Sequence, residues 1–460
     1  MRRPNPILAL VAILTFVTSS QPSSFDLPAA AQERQIKWPA RSIQIALSTS
    51  LSSPSPAIKP ESDVLGAVRR ALASWSRAAN IKFVETASKK QSVSPTSGGD
   101  GVSLITIAGT GDNVALFAEG NTTARTRVFY DLDSGEINEA DIVINPYPYA
   151  ETGAALQFST DGTPGTYDLE STFAHEIGHL LGLSHSHVIG ATMQASQALN
   201  GTYGVPAITE RTLSEADQAA ARSLYGSQEK TGSSGSIEGR ILSSVDGSLL
   251  PAAAAHVWIE DVDTGKVMAS ALTSSKGRFN FNSVPPGNYR AMVEYVDAAA
   301  SEAEALKAAG DRQPGGRVRA FRSVEMRSSL RVPGDKPTTL NYVLVPPQNS
   351  PPKLIPRFIG LSAELSSVPV PVAGGDKITV YVSGEGVDQI PGNGLVLSSP
   401  FMSIDAASLT LEQFQKSTPV ISFTVTIAAN APAGDYTLKL QSNTGEVGYL
   451  VGAVTINPND

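Results

Sequence analysis

The sequence predicts a multidomain protein in which an α+β unit is followed by two all-β sandwich units, and three observations carry that expectation. A chain of 460 residues exceeds one compact core, and domains of ordinary size divide it into two to four, with three expected. Helical periodicity is confined to the first half, and short alternating strands with Gly and Pro turns fill the second. Two linker-like stretches, "SQEKTGSSGS" at 227–236 and "PPQNSPPKLIP" at 346–356, separate the parts. The expected division is a signal segment at 1–31, the α+β unit at 32–226, a linker at 227–235, sandwiches at 236–345 and 353–460, and a Pro-rich linker at 346–352.

In chain order, Arg2 and Arg3 precede an apolar run from Ile7 to Val17 and the small residues Ala29, Ala30 and Ala31, the form of an export signal. That run is too short for a spanning helix, which needs about 20 apolar residues, so no stable membrane span is expected after signal removal. "WPARSIQIALS" alternates at Ile43, Ile45 and Leu47 as a strand does. Val64, Leu65, Val68, Leu72 and Trp75 recur at helical steps, with Ser62 or Asp63 as the cap. The segments "IKFVE", "VSLITIAG", "TRVFYDL" and "ADIVINP" read as strands, the last two joined by a turn at "DSGE". "TYDLESTFAHEIGHLLG" reads as a helix capped by Asp168 and stopped by Gly182. A third helix in "LSEADQAAARSLYG" carries the capping-box spacing Ser214 to Asp217 and ends near Gly226. Beyond 236, DG, TGK, KGR and PPG turns divide short strands, and the charged stretch 298–335 is expected as a long loop before a closing strand "LNYVLV".

Composition narrows the chemistry. A net charge of −8 argues against nucleic acid as a partner, since phosphate binding needs clustered Lys and Arg. With no cysteine, neither disulfides nor thiolate ligands are available, so any zinc must be held by His, Asp or Glu. Four of the five histidines fall in "HEIGHLLGLSHSH", residues 175–187. On a helix, His175 and His179 project from one face a turn apart and can share an ion, while Phe173, Ile177, Leu180 and Leu181 face the core. Glu176 then lies within reach of a metal-bound water rather than of the metal. Gly182, free to adopt a positive φ, lets the chain turn back so that His185 supplies a third ligand.

The pattern His175, Glu176, His179, Gly182, His185 resembles that of the metzincin clan of zinc endopeptidases, and Ser186 resembles the matrixin branch. "ALASWSRAANIKFVE", "GEINEADIVIN" and "LSEADQAAARSLYG" are similar to matrixin segments in content and order over about 36–226. The resemblance implies a zincin fold of a twisted mixed sheet with three helices. It implies one catalytic Zn2+ on His175, His179 and His185, which selects His185 over His187, and it implies Glu176 as the base. Met193 in "GATMQ" is the implied methionine-turn residue beneath the metal. The chain departs from the family in three ways. Ala195 stands where astacin-like and serralysin-like relatives carry tyrosine, no histidine precedes His175 to hold a second structural zinc, and no cysteine is present for a propeptide latency switch.

Asp100, Asp112, Asp131, Asp133 and Asp161 sit in expected loops and are candidate ligands for Ca2+. His187 is left without a role, and His256 reads as a packed strand residue. The middle unit resembles the prealbumin-like sandwich of carboxypeptidase-regulatory-like domains through "EGRI" and "SSKGRFNFNSVPPGNYR". The last unit resembles an immunoglobulin-like domain, of the IPT/TIG kind. The middle unit is expected as a spacer or fold-stabilising module, and either unit as a surface for a protein or glycan. The resulting expectation is a secreted metalloprotease, extracellular, periplasmic or on the cell surface, acting on protein or peptide substrates. Its rival is a surface adhesin whose metal site is structural. Substrate preference is not legible, since the loop at 194–212 offers only generic candidates such as Tyr203.

Overall fold

The computed structural model describes residues 35–296 and 320–457, apart from 54, 97, 119–121, 151–152, 227–233, 246, 335, 349 and 415–417. The proposed signal segment and most of the first linker therefore lie outside the described residues.

The first unit runs β1 (Ser42–Ser48), α1 (Val64–Ala79), β2 (Lys82–Ser88), β3 (Leu104–Thr106), α2 (Gly111–Ala115), β4 (Ala124–Tyr130), β5 (Ile137–Ile144), β6 (Phe158–Ser159), β7 (Tyr167–Asp168), α3 (Leu169–Leu180) and α4 (Glu215–Tyr225). The sheet order is β2-β1-β3-β5-β4, parallel except for β4, which pairs antiparallel with β5 at one edge. This is the expected mixed sheet with three long helices, plus the single-turn α2. Parallel β1 and β2 require a crossover, and α1 is that crossover, which lays Val68, Leu72 and Trp75 on the sheet. Asp63, rather than Ser62, caps α1 by accepting from the Gly66 amide. The Trp75 indole donates to the carbonyl of Ala174 at 2.6 Å and ties α1 to α3. Every residue of α3 is buried, so the helix sits between sheet and α1 as a fixed internal rod.

The middle unit contains β8 (Gly235–Val245), β9 (Ser248–Pro251), β10 (His256–Asp261), β11 (Val267–Leu272), β12 (Arg278–Val284), β13 (Gly287–Glu294), β14 (Val324–Val332) and β15 (Pro337–Val345). Its sheets, β11-β10-β13-β14 and β12-β8-β15 with β9 beside β8, share a core that includes Ile237, Val257, Phe279, Phe281, Tyr289 and Leu340. The expectation of one long loop over 298–335 fails at its end, because β14 pairs with β13 there. Val324, Met326 and Val332 turn toward the core while Glu325, Arg327 and Arg331 face outward, so charge on one face of an edge strand hid the alternation.

The last unit has β16 (Ile355–Leu361), β17 (Glu364–Ser366), β18 (Val370–Val372), β19 (Lys377–Glu385), β20 (Leu395–Leu397), β21 (Met402–Glu412), β22 (Val420–Ile427), β23 (Gly434–Gln441) and β24 (Val447–Ile456). Two sheets, β17-β16-β19-β22-β21 and β18-β24-β23-β20, enclose Ile359, Val382, Phe423, Leu438 and Leu450. A sandwich results, because alternate residues on both inner faces are apolar.

The three units are not strung out on linkers. Val188, Ala191 and Ala216 of the first, Trp258, Val267 and Met292 of the second, and Val451 of the third form one buried apolar knot. The Ile189 amide donates to the carbonyl of Val451 at 2.7 Å, directly after the histidine-rich stretch.

Candidate metal centre

Helix α3 begins at Asp168, whose carboxylate accepts from the Ser171 amide and forms a 2.5 Å ion pair with Arg211. That anchoring fixes the register with which His175 and His179 leave the helix. The helix ends in a Schellman motif: the Gly182 amide donates to the carbonyl of His179 and the Leu183 amide to that of Gly178. Gly182 has φ +90, and a Cβ there would lie 2.2 Å from the carbonyl oxygen of Ile36, so both conformation and space require glycine. The carbonyls of Leu180 and Leu181 are taken by the Trp38 indole and the Tyr225 hydroxyl, which satisfies the orphaned end of a buried helix.

The reversal brings three imidazoles together. His179 Nε2 lies 3.0 Å from His175 Nε2 and 3.2 Å from His185 Nε2. Nδ1 of His175 is held by the carbonyl of Thr192 and Nδ1 of His179 by that of Leu183, both at 2.8 Å. Each Nδ1–H donates to its backbone carbonyl, leaving Nε2 as a lone-pair donor. Burial presses the pKa of His175 down to about 3 and that of His179 well below the ordinary value, so both are neutral. A tetrahedral zinc with bonds of about 2.0–2.1 Å would space its ligand nitrogens by about 3.3 Å, close to the spacing here. The donor set, the neutrality of His175 and His179 and the spacing thus fit the ion.

Glu176 is fully buried beside this cluster, and the Thr126 hydroxyl on edge strand β4 donates to its carboxylate. Met193 lies beneath α3 at Gly178, where an added Cβ would meet its sulfur at 2.2 Å. A glycine between the two helical histidines therefore lets the methionine press against the helix backbone. The methionine turn is itself pinned, as the carboxylate of Asp217 in the α4 capping box accepts from the amides of Thr192 and Met193.

His187 stands apart from these three and packs against His256 of β10, with ring centroids 5.4 Å apart and the planes tilted by 38°. Its place is the junction between units, a role that spacing within the motif could not show. The calcium expectation is not supported. Asp100 pairs with Lys90 and Asp161 with Lys59, and Asp131 caps its own turn by accepting from Asp133 and Ser134. Asp112 lies in the first turn of α2. Among the described residues, His175, His179 and His185 form the one group of three ligand-type side chains close enough to hold an ion.

Sequence reasoning missed Thr126, Glu210 and the use made of Tyr203. Residues 194–212 leave the methionine turn, wall a small cleft beside His175 and Glu176, and reach the last unit. There the Tyr203 hydroxyl donates to the carbonyls of Ile359 and Val368, and its amide to Glu364. Tyr203 holds φ +59, strained for a residue with a Cβ, and packs against the core of the last sandwich. No signal in the sequence links a loop tyrosine to a strand over 150 residues away.

Comparison with known proteins agrees with this geometry. Residues 37–226 match the family model for matrixin, and residues 236–344 match that for the carboxypeptidase regulatory-like domain. The chain is 27% identical over 197 residues to metalloendoproteinase 1 of Glycine max, covering 41% of this chain and 53% of that protein. It therefore spans about half the length of the curated relative it matches. Among solved structures, 5-hydroxyisourate hydrolase of Klebsiella pneumoniae is 19% identical with a TM-score of 0.15, covering 24% of this chain and 86% of that one. The minor pilin of Streptococcus agalactiae is 12% identical with a TM-score of 0.16, covering 26% and 48%. Scores of that size carry no inference.

Proposed function

We propose that this chain, whose residues 37–226 form a matrixin domain and 236–344 a carboxypeptidase regulatory-like domain, is a zinc-dependent endopeptidase. The convergence of three imidazole Nε2 atoms beside a buried carboxylate carries the reading. His175, His179 and His185 would hold the ion, which when bound supplies a Lewis acid and a water of lowered pKa. Glu176 accepts a proton from the attacking water and passes it to the leaving amine. Thr126 orients that carboxylate through its hydroxyl. Strand β4 has β5 as its paired neighbour and is otherwise an edge among the described strands, so an extended peptide can add to it and pass Glu176.

The carboxylate also weighs against a purely structural site, which has no use for a base beside the ion. Chelator-sensitive cleavage of a denatured protein, lost in Glu176→Ala with zinc content retained, is the expected result. Equal turnover by zinc-loaded Glu176→Ala would overturn the assignment. Export of the chain is part of the same proposal, supported by the form of residues 1–31, and is checked by finding the product outside the producing cell.

A further inference from the structure

Beside His175 and Glu176 a narrow cleft runs inward, with Thr123, Ser171 and Gln197 on its walls and Glu210 among its lining residues. Its free volume is about 10 Å3, room for one water-sized group. Ser171 and Gln197 are held in place by hydrogen bonds to Asp168 and Thr172, so these walls are fixed.

Glu210 is 8% exposed, and its Oε2 has no hydrogen-bond partner among the described residues. The cations nearby are already engaged. Arg211 pairs with Asp168 at 2.5 Å and reaches Glu170 at 4.0 Å, while Arg70 pairs with Glu170 and Asp63. Burial, reinforced by the charge of Asp168, raises the Glu210 carboxyl to about 8, as befits a buried acid lacking a positive partner. Near neutral pH the group is therefore largely protonated, and a cation arriving beside it would release that proton and pair with the carboxylate. The missing complement is a cation, and it must be slender, because the space is one water wide. A lysine side chain, an unbranched stem ending in a compact ammonium, has that shape.

We propose that Glu210 is a specificity-determining residue whose carboxylate receives the ammonium of a substrate lysine flanking the scissile bond. The inference rests on the endopeptidase reading and narrows its substrates to lysine-containing sites. Loop 194–212 supplies both Glu210 and the cleft residues Gln194, Ser196 and Gln197, so the same segment that is anchored on the last sandwich sets the selectivity.

The test uses the full zinc-loaded chain and peptide pairs that differ only by lysine or norleucine at each position around the cleaved bond. At one flanking position, kcat/KM should favour lysine by about tenfold or more. Glu210→Gln, close in shape to the parent, should bring that ratio near one, and Glu210→Lys should favour a glutamate peptide over its lysine counterpart. A structural role alone would lower all peptides together and leave the ratio unchanged. Binding of the same peptides to zinc-loaded Glu176→Ala, followed by fluorescence anisotropy, gives the ratio without turnover. Cleavage without lysine preference, or a preference that survives Glu210→Gln, overturns this assignment and leaves proteolysis standing. Lysine-selective binding without cleavage by the parent chain overturns proteolysis and leaves the cleft assignment standing.

Discussion

His175, His179 and His185 form one histidine group in this molecule, and His187, two residues further along, forms another with His256 of the middle unit. Burial lowers the pKa of His175 and of His256 alike to about 3, so neutrality does not distinguish the two. The anchor on Nδ1 does. His175 and His179 spend Nδ1 on backbone carbonyls, which carry no charge and leave Nε2 aimed at a shared point. His256 spends Nδ1 on the carboxyl group of Glu294 at 2.8 Å, and its ring stacks on Trp258 and meets His187 at a tilt. Trp258 in turn meets Tyr449 of the last unit edge-on at 4.9 Å. One group is arranged to donate lone pairs, the other to join three units.

The largest expected effect tests whether that division is real. Glu176→Gln should lower kcat/KM by roughly 10^2- to 10^4-fold, the usual contribution of a general base, with zinc content by elemental analysis unchanged. Glu294→Gln, the matching change at the second group, should leave peptide hydrolysis within about threefold of the parent, a loss under 1 kcal/mol of transition-state stabilisation. Comparable losses in both variants would erase the distinction between the groups.

Next comes the chain reversal that makes the first group converge. Gly182→Ala forces a left-handed residue to carry a Cβ and drives it into Ile36, at a combined cost of roughly 2–5 kcal/mol. Denaturant unfolding of the metal-free chain would measure the loss. Zinc affinity should fall with it, because His185 is positioned by that turn. Wild-type affinity in a folded Gly182→Ala protein would show that the third histidine reaches the ion by another route.

The second group has its own signature in pH. Burial lowers His256 to about 3 and raises Glu294 to about 8, so the folded pair keeps one proton across that range. Unfolded, glutamate releases its proton near 4.5 and histidine binds one below 6.5. Between about 4.5 and 6.5 both states therefore hold one proton, and the pair adds no pH dependence. Below that window the unfolded chain binds more protons, so stability falls with acid. Above it the folded chain binds more, so stability falls as pH rises through about 8. The difference in unfolding free energy between the parent and a His256→Gln, Glu294→Gln double variant should be flat in the window and decline on both sides. A monotonic difference would mean that only one of the two groups is shifted in the folded chain.

How much of this was legible from the sequence follows the range of each interaction. The helix geometry of His175 and His179, the stop at Gly182 and the caps at Asp168 and Ser214 depend on residues within one or two turns, and all are readable from spacing. Met193 was read from family resemblance, and its contact with Gly178 adds the physical reason. Thr126 reaches Glu176 across 50 residues and His187 reaches His256 across 69, pairings that only the folded sheet and junction create. Strand β14 was mistaken for loop because its exposed face is charged. The calcium expectation counted carboxylates, while the fold gives Asp100 and Asp161 lysine partners.

The smallest effect concerns the loop between the two groups, held at Tyr203. Its hydroxyl donates to two carbonyls of the last unit, at 2.7 Å to Ile359 and 3.2 Å to Val368, and burial pushes its pKa above the ordinary range so that it stays protonated as a donor. Tyr203→Phe keeps the ring in its apolar seat and removes only those bonds, so the global cost should be about 0.5–1.5 kcal/mol. The buried carbonyls then lose a partner while the amide bond to Glu364 remains. Because this loop walls the cleft beside Glu176, loosening it should raise KM more than it lowers kcat, and protection of loop amides from hydrogen exchange should fall at 194–212 before it falls in α3. An unchanged exchange pattern would mean that the apolar contacts of Ala198, Ala207 and Val368 hold the loop by themselves. In that case the last sandwich would support the first unit through packing, and the hydroxyl would serve only to satisfy its own burial.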